Sequence, residues 1–202
     1  MEKLTKKLMT TNADSAIFEV QTDETDRTER ENEYNDDALL PFVKEMMKNI
    51  LYDEQRDIVV VCFGTMAISG DSLGPQVGTL LREKYNISAF VYGTEDCTVN
   101  GKNMQEWLSF IKQVHEGALF VAIDASLGEK SKVGQIVVRP DGVCPAGVKG
   151  KKLRFGDVGI LGVVAQNSQD ALMQLMTVSP LYVSKLADKV ANMINIVLCC
   201  EQ

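Results

Sequence analysis

Apolar residues are spaced in two ways along the chain, and the alternation between them predicts the fold. IVVVCF (58–63) and ALFVAID (118–124) are unbroken apolar runs rich in β-branched residues, as expected of strands covered on both faces. LGPQVGTLLREKYN (73–86) and NMQEWLSFIKQVHEG (103–117) repeat their apolar positions at helical spacing instead. AFVYG (89–93), GQIVVR (134–139) and ILGVVA (160–165) read as further strands, and helices are predicted near 168–177 and 180–197. The order strand, helix, strand, helix, strand predicts parallel pairing with right-handed crossovers. An α/β chain with helices on both faces of a mostly parallel central sheet is therefore expected.

Upstream, Leu39, Val43, Met46, Met47 and Ile50 fall on one helical face, with Asp37 as a candidate N-cap and Pro41 in the first turn. This predicts a helix that docks by its apolar side. Residues 14–37 carry ten acids against Arg27 and Arg30, a net −8, so the remainder of a chain of net charge −7 is close to +1. Such a stretch has too few apolar anchors to offset the entropy of ordering, which predicts a flexible acidic arm over 1–37 and a single domain over 38–202. The near-neutral domain has no basic field for nucleic acid or an anionic membrane. No apolar run is long enough to cross a bilayer, and residues 1–20 lack a signal-peptide core, so a cytoplasmic location is expected. Five cysteines without Cys-x-x-Cys spacing suggest neither a disulfide framework nor a zinc site.

Ligands of open parallel sheets bind beyond the carboxyl ends of the strands. Two acids fall at such places: Asp71 in the loop GDSLGP after the first central strand, and Asp124, read as the last residue of a later one. Close carboxylates suit general acid and base work, because mutual repulsion lets one stay protonated while the other ionises. They also suit a divalent cation. Ordinary structural roles remain open beside these, Asp71 as a helix cap and Asp124 as a partner for backbone N–H groups in its turn. Asp96 and Asp157 are second-rank candidates to line the same crevice, with Gly70, Ser72 and Asn100 as substrate-binding candidates. The glycines around the first loop lack the Gly-Lys-Ser/Thr of a phosphate loop and surround an acid. His115 ends a helix, where the dipole favours it, and is placed at the wrong end to serve a thiol nucleophile.

GTMAISGDSLGPQVGTLL, VYGTED, FVAIDASLG and GDVGILGVV, in that order, resemble the YyaC-type sporulation proteins of endospore-forming Firmicutes. The resemblance implies a three-layer phosphorylase/hydrolase-like fold related to hydrogenase maturation endopeptidases and the spore germination protease. It also implies functional acids at Asp71 and Asp124, acting through nickel-guided cleavage or as an acid pair, in the sporulating cell or forespore. Histidines that the resemblance leads one to expect are replaced by Asn100 and Gly159. Carboxylates alone hold nickel or zinc weakly, so a cation here would be Mg²⁺ or Ca²⁺, and no cofactor is certain. Two readings follow: a sporulation-associated peptidase using paired aspartates on a peptide or protein, or an inactive binding or assembly protein of the same fold. Self-association into a homo-oligomer stays open.

Overall fold

The computed structural model describes residues 56–145 and 154–199, together with the backbone of Ala16–Ile17. The helix predicted over 38–50 and most of the acidic arm lie outside the described residues. Among the described residues six strands form one sheet: β1 (Ala16–Ile17), β2 (Ile58–Cys62), β3 (Phe90–Tyr92), β4 (Leu119–Gly128), β5 (Ile136–Arg139) and β6 (Val158–Gln166). Their spatial order is β1-β5-β6-β4-β2-β3. The helices are α1 (Leu73–Thr79), continued by a π-helical turn over Leu80–Lys84, then α2 (Met104–Val114), α3 (Ala171–Thr177) and α4 (Pro180–Cys199).

β3, β2, β4 and β6 run parallel, which is the mostly parallel arrangement predicted from the alternation of elements. β5 is antiparallel to β6, and the two residues of β1, within the predicted arm, pair antiparallel with Val137 and Val138. The reversal at β5 follows from its connector. Residues 129–135 are too few for a crossover helix, which takes a dozen or more residues, so the chain turns back instead.

The continuous apolar runs sort their side chains by the period of two. Val60 and Cys62, with Val121 and Ile123, face a layer formed by α1 and α4, where Leu73, Val77, Val183, Leu186 and Val190 are buried. Val59, Val61 and Phe63, with Ala122, face the opposite layer, where α2 contributes Met104, Leu108 and Ile111. Both faces of the central strands are therefore dry. Among the described residues no helix is long and apolar enough to cross a membrane.

Two glycines let α1 lie directly on the backbone beside β2. A Cβ at Gly74 would stand 2.1 Å from the Phe63 carbonyl oxygen, and one at Gly78 would stand 2.2 Å from that of Gly93. Side chains there would lift the helix, and with it the turn that carries Asp71. Replacing glycine by alanine within a helix normally gains about 1 kcal/mol of propensity. Overpacking against backbone costs about 1–3 kcal/mol. Gly74→Ala and Gly78→Ala are accordingly expected to lower stability in urea denaturation, with the clash outweighing propensity; an unchanged or raised midpoint would contradict this packing.

Candidate active site

The acids enter the site from neighbouring strands. β2 pairs with β4 as far as Cys62↔Ile123, and the Phe63 N–H then donates to the Ile123 carbonyl at 2.8 Å. Asp124 is the next residue. Its expected position as the last residue of a strand is corrected: β4 runs on to Gly128, because Ala125 to Gly128 keep pairing with β6 across a register shift at Ser126/Leu127. Asp124 thus lies within β4 at the level where β2 stops. It pairs with Leu161, which belongs to the α2-side core, so its side chain lies on that face.

Asp71 sits in a 3₁₀ turn, Gly70–Ser72, that runs straight into α1. The loop before it folds back on itself. Thr65 N–H donates to the Asp71 carbonyl at 3.1 Å, and Gly64, at φ +139°, lies where a Cβ would be 2.0 Å from that same oxygen. Only glycine combines that φ with so close an approach. The residue at the N-cap of α1 is Ser72, and no side chain bonds into the cap, so Asp71 is not the helix cap that its position allowed.

Burial raises the Asp71 carboxyl from its ordinary 3.8 to about 6, opposed in part by the Thr65 N–H. Asp124, only 6% exposed, is raised well above the ordinary value. Burial is the larger cause and the charge of Asp71 the next, while the Ala125 N–H, donating to Oδ1 at 2.9 Å, acts the other way. The two carboxylates are thus within electrostatic reach of each other. Among the described residues, neither forms an ion pair. Two acids withdrawn from water without a cation cost stability, an arrangement more typical of functional sites than of scaffolding.

The second-rank residues divide. Gly70 is buried beneath Leu175 of α3, whose Cδ2 would lie 2.8 Å from an added Cβ. Ser72 is committed to support: its Oγ donates to the Ser69 carbonyl (2.6 Å) and accepts from Gln76 Nε2 (2.8 Å), whose Oε1 accepts from Ser184 of α4 (2.6 Å). This brace ties the Asp71 turn to the last helix. Sequence reasoning passed over Gln76, although its place four residues after Ser72 on a helix is the spacing at which side chains meet. Asp96 is exposed in the loop after β3. Asn100 closes its own loop, its side chain donating to Thr98 Oγ1 (2.9 Å) and accepting from the Lys102 N–H (3.0 Å).

Asp157 does not border the crevice, as had been expected of it. It precedes β6 at the amino end of the sheet, where Oδ2 accepts from the Phe120 N–H at 2.9 Å. Gly159 is likewise inside β6, and a Cβ there would stand 2.3 Å from the Gly142 carbonyl oxygen. Backbone packing, not the loss of a ligand, accounts for glycine here. His115 is buried at the end of α2, its Nε2 2.8 Å from the Tyr92 hydroxyl. No group of three His, Cys, Asp or Glu gathers among the described residues, and a two-carboxylate donor set does not fit nickel or zinc.

A family model described as "Protein of unknown function (DUF1256)" matches residues 30–193. The chain is 37% identical over 110 residues to the uncharacterized protein YyaC of Bacillus subtilis (strain 168), a match covering 54% of each protein. It spans about half the length of that curated relative. Its fold is similar to the crystal structure of a NiFe hydrogenase maturation protease, HycI, from Thermococcus kodakarensis KOD1, with TM-score 0.48 and 14% identity over 78% of this chain and 99% of that one.

The two raised carboxyls fix the sign of a pH dependence. A carboxyl whose folded pKa exceeds its unfolded value favours the folded state most at low pH, and that contribution is lost as pH rises through the folded pKa. For Asp71 the window runs from 3.8 to about 6, and for Asp124 it opens at the same ordinary value of 3.8. Asp124→Asn is expected to flatten the decline of stability above pH 4 and to make the protein more stable than the parent at neutral pH. Urea midpoints measured at intervals from acid to neutral pH would expose the opposite result, a variant destabilised at neutral pH.

Proposed function

The chain belongs to the DUF1256 family, and from the acid pair its fold presents we propose that it is a sporulation-associated hydrolase, a peptidase that activates water with Asp71 and Asp124. The observation that carries this reading is the pairing of two partly or wholly buried acids, one within β4 at the level where β2 stops and one in the turn before α1, neither of them in an ion pair among the described residues. Asp71, the more exposed of the two and so the less penalised for carrying charge, is ionised first and is the general base towards water. Asp124, more deeply buried and facing that charge, keeps its proton and donates to the carbonyl oxygen or to the leaving amine. Pairs whose surroundings separate their pKa values in this way divide acid and base between them.

A peptide substrate also suits what surrounds the turn. α3 seats Leu175 on Gly70 and leaves Leu172, Met173 and Met176 more than half exposed, while Met66 is exposed in the loop leading to Asp71. Flexible thioethers accommodate side chains of varied shape. The sporulation setting comes from the motif resemblance to YyaC-type proteins. A second reading, a binding or assembly protein of the same fold without catalysis, draws on the 6% exposure of Asp124, which leaves that carboxyl little access to a substrate.

Incubation of the purified chain with a synthetic peptide library, read by mass spectrometry, separates the two. Asp71→Asn and Asp124→Asn are each expected to slow cleavage by about 10²–10⁴-fold, the usual contribution of a positioned acid or base. The parent rate should rise with pH as Asp71 ionises near 6 and fall at higher pH as Asp124 loses its proton. Cleavage that persists in the double asparagine variant, or no cleavage by the parent at any pH, would sink the catalytic reading.

A further inference from the structure

In a parallel sheet the N–H and C=O of one residue face the same neighbouring strand, and those of the next residue face the other. Along β4 the odd-numbered residues face β2: the Leu119 N–H donates to the Asp57 carbonyl, and the Phe63 N–H to the Ile123 carbonyl, each at 2.8 Å. The even-numbered residues face β6, as the Asn167 N–H donating to the Gly128 carbonyl at 2.6 Å shows. Ala125 and Leu127 therefore aim their backbone groups at the place where β2 has already ended. Asp124 Oδ1 accepts from the Ala125 N–H at 2.9 Å. The Ala125 carbonyl and both backbone groups of Leu127 have no partner among the described residues. The turn carrying Asp71 keeps its bonds within its own loop, from the Thr65 N–H to the Asp71 carbonyl (3.1 Å) and from the Ser72 N–H to that of Ser69 (3.2 Å). Ala125 and Leu127 are both partly exposed.

We propose that this released edge binds the substrate by strand addition: an extended, unstructured polypeptide segment pairs with Ala125 and Leu127, which rests on the peptidase reading above and names its mode of recognition. Acceptor, donor and acceptor follow one another along the edge, the order that the main chain of an extended segment complements. Position supports the same occupant. Asp124 is the residue next to the first of these rungs, so a segment held on them has its following peptide group level with that carboxyl, at the end of the sheet where the charge of Asp71 is felt. Successive side chains of a bound strand alternate between the faces of the sheet. Those that share the face of Ala125 and Leu127 meet the layer in which both pack together with Leu175 of α3. That layer favours apolar side chains at every second position, while main-chain bonds supply affinity and leave the intervening residues free to vary. The substrate class is therefore a disordered tail or loop with alternating apolar residues, and a folded surface does not qualify.

The Leu127 amide reports on the edge without any need for turnover. In the full-length chain carrying Asp71→Asn and Asp124→Asn, its hydrogen exchange, followed by NMR, is expected to be fast in the isolated protein and to slow by about tenfold or more when a library of random decapeptides is added. The same library with alternate backbone amides N-methylated should leave it fast. Leu127→Pro removes the donor and spares the bonds to β6, which lie on even-numbered residues; it should weaken peptide binding about fivefold, the usual share of one hydrogen bond, with the circular dichroism unchanged. Should proline disturb the fold, the methylated library gives the same reading on the unaltered edge. A Leu127 amide already protected in the isolated protein would overturn the proposal, because another part of the chain, or a second copy if protection grows with concentration, would then hold the edge. Equal protection by both libraries would overturn it as well, since side chains alone would then be recognised. Protection without cleavage by the parent supports the edge and removes the peptidase; cleavage without protection does the reverse.

Discussion

β2 and β4 share five rungs, Ile58–Cys62 against Leu119–Ile123, and then part company. β2 ends and turns away through the Gly64 loop, while β4 continues for five more residues held by β6 alone. The edge of β4 released at this point is where Asp124 lies, and the space left by β2 is closed by the turn carrying Asp71. Had β4 stopped with its neighbour, Asp124 would sit in a solvated loop and hold an ordinary carboxyl. Unequal strand length is thus what converts an aspartate into a buried acid, and the close backbone contacts at Gly64, Gly74 and Gly78 keep the opposing turn pressed against it.

The cost of that arrangement is borne by the rest of the domain. Both sheet faces are packed with branched aliphatic side chains, several of them without any exposed surface. At roughly 25 cal/mol per Å² of apolar area withdrawn from water, such layers outweigh the desolvation of two carboxyls. The brace from Ser72 through Gln76 to Ser184 works in the same direction, since it ties the turn to a long helix that is already fixed by core contacts. Rigidity around the acids therefore originates far from them, in the layer of α1 and α4.

Much of this was legible in the residues, and the exceptions have a common cause. Apart from β1, which falls in the stretch read as a flexible arm, the strands and helices described follow from apolar spacing, because fully buried parallel strands leave an unmistakable unbroken run. Pairing partners are not encoded locally. Asp124 read as a strand end because IDASLG changes from apolar to small and polar residues, yet hydrogen bonds from β6 carry the strand on to Gly128. Asp157 read as a crevice residue because a Gly-Asp loop looks alike at either end of a sheet, and only the direction of β6 assigns it to the amino end. Gly159 looked like a missing ligand, since the proximity of the Gly142 carbonyl depends on a contact seventeen residues away in sequence.

Among the described residues the sheet ends beyond β2 in a very short strand, the three residues of β3. An unpaired border offers a row of free N–H and C=O groups on which another chain can stack, and the length of that row sets how firmly it can do so. A row this brief gives a neighbouring molecule few rungs to grip. The same shortness that makes the sheet narrow at this margin thus guards that edge against ordered aggregation when the protein is crowded.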